Sequence, residues 1–202
     1  MFQQAADHHR SGRFPEAEAG YRNILTANPR HTGALSHLGL LAHQSGHSDA
    51  GIDLLKKAIA TDKRNAELHY NLACIYADCR RDDDALAANR KALDLRPGYA
   101  EASNNLAALL LLRGEGPEAL KIAVRGLQSN ATESLKATFV MIVRALNPAQ
   151  IPADRTVMRF LARALQEPWC RPRDISHTAG TLLLRSAEFA RFAAQLVHPE
   201  VL

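Results

Sequence analysis

Residues 66–73 read AELHYNLA and residues 100–107 read AEASNNLA. Asn71 and Asn105 stand 34 positions apart, and the same leucine and alanine follow each of them. A fixed period of this size marks a repeat architecture, in which one short supersecondary unit is copied along the chain. Numbering the phase 1 to 34 from Thr32, Ala66 and Ala100 extends the pattern outward. Position 7 reads Leu38, Leu72 and Leu106, and position 8 reads Gly39, Ala73 and Ala107. Carried backward, position 20 holds Ala17, Gly51, Ala85 and Ala119, and position 28 holds Leu25, Ile59, Leu93 and Leu127. Small residues at positions 8 and 20 let two helices approach closely, and the large aliphatics fill the space between them. The unit is a helical hairpin, present four times.

Glycine and proline punctuate the same frame. Gly12, Gly46 and Gly114 fall at position 15, where glycine accepts the left-handed conformation that closes a helix. Pro29 and Pro97 fall at position 32, after the second helix, where proline stops helical propagation. Helices are expected near 1–11, 14–27, 32–45, 48–61, 66–79, 82–95, 100–113 and 116–128. Gly51 and Gly126 should each cost about 1 kcal/mol relative to alanine within a helix.

This pattern resembles the tetratricopeptide repeat family. The residues that carry the resemblance are LSHLGLLAHQSG (35–46), LHYNLACIYADC (68–79) and SNNLAALLLLRG (103–114), with second helices such as EAEAGYRNILTANP (16–29) and DALAANRKALDLRP (84–97). It covers residues 1–130 and implies an all-α fold: a right-handed α-solenoid of helix-turn-helix repeats. Four positions depart from the family pattern. Arg80 replaces the position-15 glycine, Lys63 replaces the position-32 proline, and Asn89 occupies position 24, where a large apolar residue is usual. Met1 enters at position 4, so the first repeat lacks its opening turn.

Beyond residue 131 the period lapses, but helical patterning does not. Helices are expected near 132–146, with Asn130 as cap and Glu133 at capping-box spacing, near 153–166 and 173–184 behind Pro152 and Pro172, and near 187–197 after Ser186. The last repeat of an array has no neighbour to cover its apolar face. Residues 131–202 are therefore read as a helical C-terminal cap anchored by Phe139, Phe160, Trp169 and Phe192. In ALQEPWCRPRDIS (164–176), Pro168, Trp169 and Pro172 suit a rigid turn that docks the indole. The same phrase, with GRFPEAEAGYRNIL (12–25), resembles bacterial proteins in which a short array precedes a methyltransferase or glycosyltransferase region.

Composition narrows the function. The 202 residues are 47% hydrophobic, 23% charged and only 5% aromatic, as expected for a soluble chain with an aliphatic helical core. The formal charge of +4 is spread thinly: residues 1–131 hold 16 Lys/Arg against 15 Asp/Glu. Nucleic-acid binding calls for a clustered basic stripe, which the array lacks. Cys74, Cys79 and Cys170 have no metal-type spacing, and Cys74 and Cys79 point about 140° apart on one helix. His43 and His47 are separated by Gly46, and RRDDD (80–84) reads as acids at a helix N-terminus. No phosphate loop, nucleophile elbow or metalloprotease helix occurs. The expectation is a non-enzyme with no cofactor or metal. MFQQAADHHR lacks a signal-peptide core, and LAALLLL (106–112) is too short to span a bilayer, so a cytoplasmic, membrane-free protein is expected.

A stacked array curves and turns its first helices inward. Positions 2, 5, 6, 9, 12 and 13 share one face of those helices. That face carries Ser36, His37 and His43, then Glu67, Tyr70, Asn71, Cys74 and Asp78, then Glu101, Asn104 and Asn105. These residues are the candidate site for a protein or extended-peptide partner. Asparagine forms helices poorly, and its amide offers both the donor and the acceptor that an extended backbone needs. Arrays of the O-linked N-acetylglucosamine transferase family carry an asparagine ladder. The resemblance extends that role to Asn71 and Asn105, with His37 in the rung before. The competing reading leaves these amides solvated or bonded to the adjacent helix. Arg10 is the one basic residue of this wall, too little for the carboxylate clamp of chaperone-binding members. Three functions stay open: an interaction module, the recruiting arm of a larger transferase, and a self-associating scaffold using Leu110, Leu111 and Leu112. The ending HPEVL has no clear helix stop or polar tail, which leaves truncation open.

Overall fold

The computed structural model describes residues 1–186, and among these all regular structure is helical. The expected helix at 187–197 and the anchor Phe192 lie outside the described residues. Two compact units divide the chain, Met1–Pro97 and Gly98–Leu202. The 34-residue period lapses inside the second of these.

The first unit holds α1 (Phe2–Arg10), α2 (Phe14–Ala27), α3 (Thr32–Gln44), α4 (Ser48–Thr61), α5 (Ala66–Asp78) and α6 (Asp82–Leu95). They pair as the hairpins α1–α2, α3–α4 and α5–α6, and α3 also packs against α1 and α5. Each hairpin closes where the sequence demands it. Gly12 and Gly46 take φ of 73° and 85°, and Arg80 is driven into the same left-handed region at φ 59°. The three acids of RRDDD fill the first turn of α6, and Asp84 is ion-paired with Arg81 at 2.7 Å. Arg81 in turn lies over the Tyr76 ring.

The packed face follows the small residues. Ala5, Ala73, Ala17 and Ala85 are buried, and Gly39 meets Gly51 between α3 and α4. A methyl group on Gly51 would sit 2.6 Å from the Gly39 carbonyl oxygen. The glycine expected to weaken α4 is thus required by a backbone contact. Within this unit position 28 is shallower than expected, with Leu25, Ile59 and Leu93 half-buried, whereas Leu127 in the second unit is buried. The depth lies one residue earlier, at Ile24, Ala58 and Ala92. At position 24 Tyr21, Leu55 and Asn89 are all fully buried. Asn89 donates its amide to the Ala85 carbonyl at 3.0 Å, while its Oδ1 has no partner among the described residues.

The second unit opens with the hairpin α7 (Ala100–Leu112) and α8 (Gly116–Ser129), closed by Gly114 at φ 78°. Next, α9 (Glu133–Ala145) packs against both helices of that hairpin, where the first helix of a further repeat would lie. Gly126 admits this approach, since a methyl group there would stand 2.6 Å from Leu135 and 2.8 Å from Ser103. Like Gly51, it is a contact requirement. The cap of α9 is Thr132, whose hydroxyl accepts from the Leu135 amide, and not Asn130. Asp154 caps α10 (Arg155–Gln166), so Pro152 lies in the preceding loop. Pro172 opens a 3-10 turn ahead of α11 (Ser176–Arg185). The capping box the sequence placed at 130–133 occurs at Asn147 and Gln150 instead.

Aromatic anchoring is as expected for three of the four residues. Phe139, Phe160 and Trp169 meet pairwise at centroid distances of 6.1–6.4 Å. The indole N–H donates to Glu167 at 2.7 Å, and Lys136 and Arg163 flank the ring face. The leucine patch does not exist as a unit. Successive helical residues point about 100° apart, so Leu110 is fully buried in the hairpin core while Leu112 is 80% exposed.

Two stability outcomes follow. Gly51→Ala forces the α3 and α4 backbones apart and should destabilise the protein by about 1–3 kcal/mol in urea unfolding. Asn89→Leu supplies the side chain found at Leu55 and removes an unsatisfied buried acceptor. It should stabilise by about 1 kcal/mol in the same measurement.

Candidate functional site

The predicted face is divided between the two units, and each part is built by pairing between successive first helices. In the first unit, the Asn71 amide of α5 donates to the Ser36 hydroxyl of α3 at 3.2 Å. His43 of α3 links two elements: its Nε2–H donates to the Asp78 carboxylate of α5 at 2.9 Å, and its Nδ1 accepts from Ser48 of α4 at 2.9 Å. Glu67 is exposed at the start of α5, and Tyr70 and Cys74 are half-buried along it. In the second unit, Asn104 accepts from Thr138 of α9 at 2.7 Å, while Asn105 is half-buried and Glu101 exposed. Asn71 and Asn104 are thus each bonded to a neighbouring helix.

His37 stands in a different setting from the other candidates. Its ring packs against Phe2 at 5.2 Å, Tyr21 at 5.6 Å and His9 at 6.3 Å, with Nδ1–H donating to the Gly33 carbonyl. Burial pushes this imidazole below the ordinary histidine range, aided by His9 and opposed by the Gly33 bond and the Glu67 charge. His9 is fixed as well, with Nε2–H donating to Gln44 at 2.9 Å and Nδ1 facing the Tyr21 hydroxyl at 3.4 Å. Phe14 meets the His9 ring edge-on at 5.9 Å.

These side chains border an open groove of about 760 Å³ on α1 and α3. Phe2, His9, Arg10, Phe14, His37 and Gln44 line it, with Gln3 and Ala6 beneath. Of this group the sequence singled out only His37 as a site residue. The signal was present, because Phe2, Gln3, Ala6, His9 and Arg10 occupy positions 5, 6, 9, 12 and 13 of the incomplete first repeat. No group of three or more potential metal ligands occurs among the described residues, and no described helix is long and apolar enough to cross a membrane.

Consecutive helical hairpins that repeat every 34 residues and pack through small residues define a hairpin-repeat protein. Sequence profiles for the tetratricopeptide repeat match residues 2–65 and residues 54–87, so residues 2–87 are built of tetratricopeptide repeats. The human Protein O-mannosyl-transferase TMTC3 is 31% identical over 113 residues. That stretch takes in 54% of this chain but spans only 12% of the transferase's length. Among solved structures, Pseudomonas aeruginosa PilF superimposes with a TM-score of 0.66 at 18% identity, covering 96% of this chain and 95% of its own. A mutant O-GlcNAc transferase of Thermobaculum terrenum gives a TM-score of 0.58 at 26% identity, over 63% of this chain and 25% of its own.

The half-buried His37 sets a pH dependence with a definite sign. Its folded pKa lies below the unfolded one, so its contribution is whole above the unfolded value of about 6.5 and is lost as pH falls through it. Between about pH 7.5 and 5.5 the wild-type melting temperature should fall further than that of His37→Phe, which keeps a ring in place without a titrating proton.

Proposed function

We propose that this chain is a non-catalytic protein-interaction module that holds a peptide or partner segment against the inward face of its first helices. The observation that carries this reading is the open groove on α1 and α3, lined from the face positions that the repeat leaves unpacked. A helical hairpin buries its small residues inward and presents the remaining side chains as a surface fixed by neighbouring repeats. Farther along, Asn71 uses one amide hydrogen on Ser36 and keeps its amide oxygen for an extended backbone N–H. Asn105 holds the equivalent position in the second unit.

A second reading rests on the comparisons. Both the O-mannosyl-transferase and the O-GlcNAc transferase contain a stretch like this chain as a minor part of their length. The chain would then be the recruiting arm of a larger transferase. Intact mass of the native polypeptide separates the readings: 22.1 kDa supports a module acting alone, and a much larger mass supports the arm.

The module reading is tested by measuring affinity for a bound partner after Asn71→Ala and Asn105→Ala together. Loss of at least about 0.5 kcal/mol is expected if these amides hold the ligand backbone. Unchanged affinity would leave them with a packing role only.

A further inference from the structure

The groove on α1 and α3 has a chemistry that the rest of the predicted face lacks. Its charged and titratable lining among the described residues is one guanidinium, Arg10, and two imidazoles, His9 and His37, with the Asp7 carboxylate paired to Arg10 from outside the lining. Two phenyl rings, Phe2 and Phe14, supply apolar surface beside them, and Phe14 is 41% exposed despite its size. Farther along the unit the sign changes, because α5 presents Glu67 and Asp78 on the same face.

Resting on the interaction-module reading, we propose that this groove binds a protein segment in which an aromatic side chain stands within two residues of an acidic one. The aromatic ring seats between Phe2 and Phe14, where rings pack edge-on or offset with a gain beyond simple area burial. The carboxylate reaches Arg10. That guanidinium directs one nitrogen to Asp7, which lies outside the groove lining and also accepts from Gln3. An arginine carries five N–H donors, so further donors remain for a ligand carboxylate. A planar guanidinium that already holds one carboxylate is oriented for a second, and orienting it beforehand lowers the entropy lost on binding. His9 and Gln44, held together at 2.9 Å, add fixed polar groups to the same lining. Glu67 and Asp78 repel acidic residues farther along, which fixes the acidic part of the segment at the α1 end.

Selection of a random dodecapeptide phage library on the immobilised full chain tests this. Selected peptides are then synthesised with amidated C-termini, so that only side-chain carboxylates are offered, and their affinities are measured by fluorescence anisotropy. Enrichment of aromatic–acidic pairs is expected. Arg10→Gln and Phe14→Ser, both at exposed positions, should each weaken binding by about fivefold. Changing the peptide acid to its amide should weaken binding to the wild type but not to Arg10→Gln. Selected peptides without acids, or affinities that ignore both substitutions, overturn the proposal. If affinity responds to Asn71→Ala but not to Arg10→Gln or Phe14→Ser, the groove assignment fails while the module reading stands. A library that yields no binder removes both.

Discussion

At Gly39 and Gly51 two helical backbones meet with no room for another carbon between them. Every hairpin depends on the same close approach, made elsewhere by alanine, and the rest of the architecture follows from it. Helices that pack through small residues settle their packing along a narrow stripe. The other side of each first helix is then released from core duty and can carry histidine, asparagine and glutamate at half-buried or exposed positions. The same requirement recurs in the second unit, where Gly126 makes room for α9. A residue that weakens an isolated helix is here the condition for assembling one.

A second rule connects successive repeats. His9 pairs with Gln44, His43 with Asp78, and Ser36 with Asn71, each across a separation of 35 residues. Phe2 and His37 share that spacing. One more than the period, it joins position 12 to position 13 and position 5 to position 6. Asn71, one of the two asparagines that suggested a ligand ladder, thus also serves as a rivet between helices. Such bonds fix the neighbouring side chains in place, and a preorganised surface loses less entropy when a partner arrives.

The hairpins were legible in the sequence because small residues, glycine stops and proline breaks fall in one phase. Helix ends agree with that reading to within about two residues across the array. What escaped was tertiary. Propensity gives Gly51 and Gly126 a cost, since nothing local shows that a carbonyl or a leucine occupies the space of a missing methyl. The cap at Thr132 was missed because Ser129, Asn130 and Thr132 lie close together and only the path of the chain selects one, and Asp154 was missed because Pro152 suited the start of the helix. At the site, the face was predicted by position, but the groove at its start was not. Phe2 and His9 hold positions 5 and 12 of the first repeat, and only their packing against His37 and Gln44 shows that they belong to one groove.

The spacing of the inter-repeat bonds bears on how such a chain changes over generations. Each bond draws its two halves from adjacent copies of one unit, so duplicating a whole unit supplies donor and acceptor together and heals its own seam. Inserting a single residue into a helix changes the separation of the pairs that span it from 35 to 36 and turns their partners out of register. The array is thus free to lengthen and shorten by whole repeats, yet intolerant of fractional ones. Length is its adjustable trait, and phase is what inheritance must conserve.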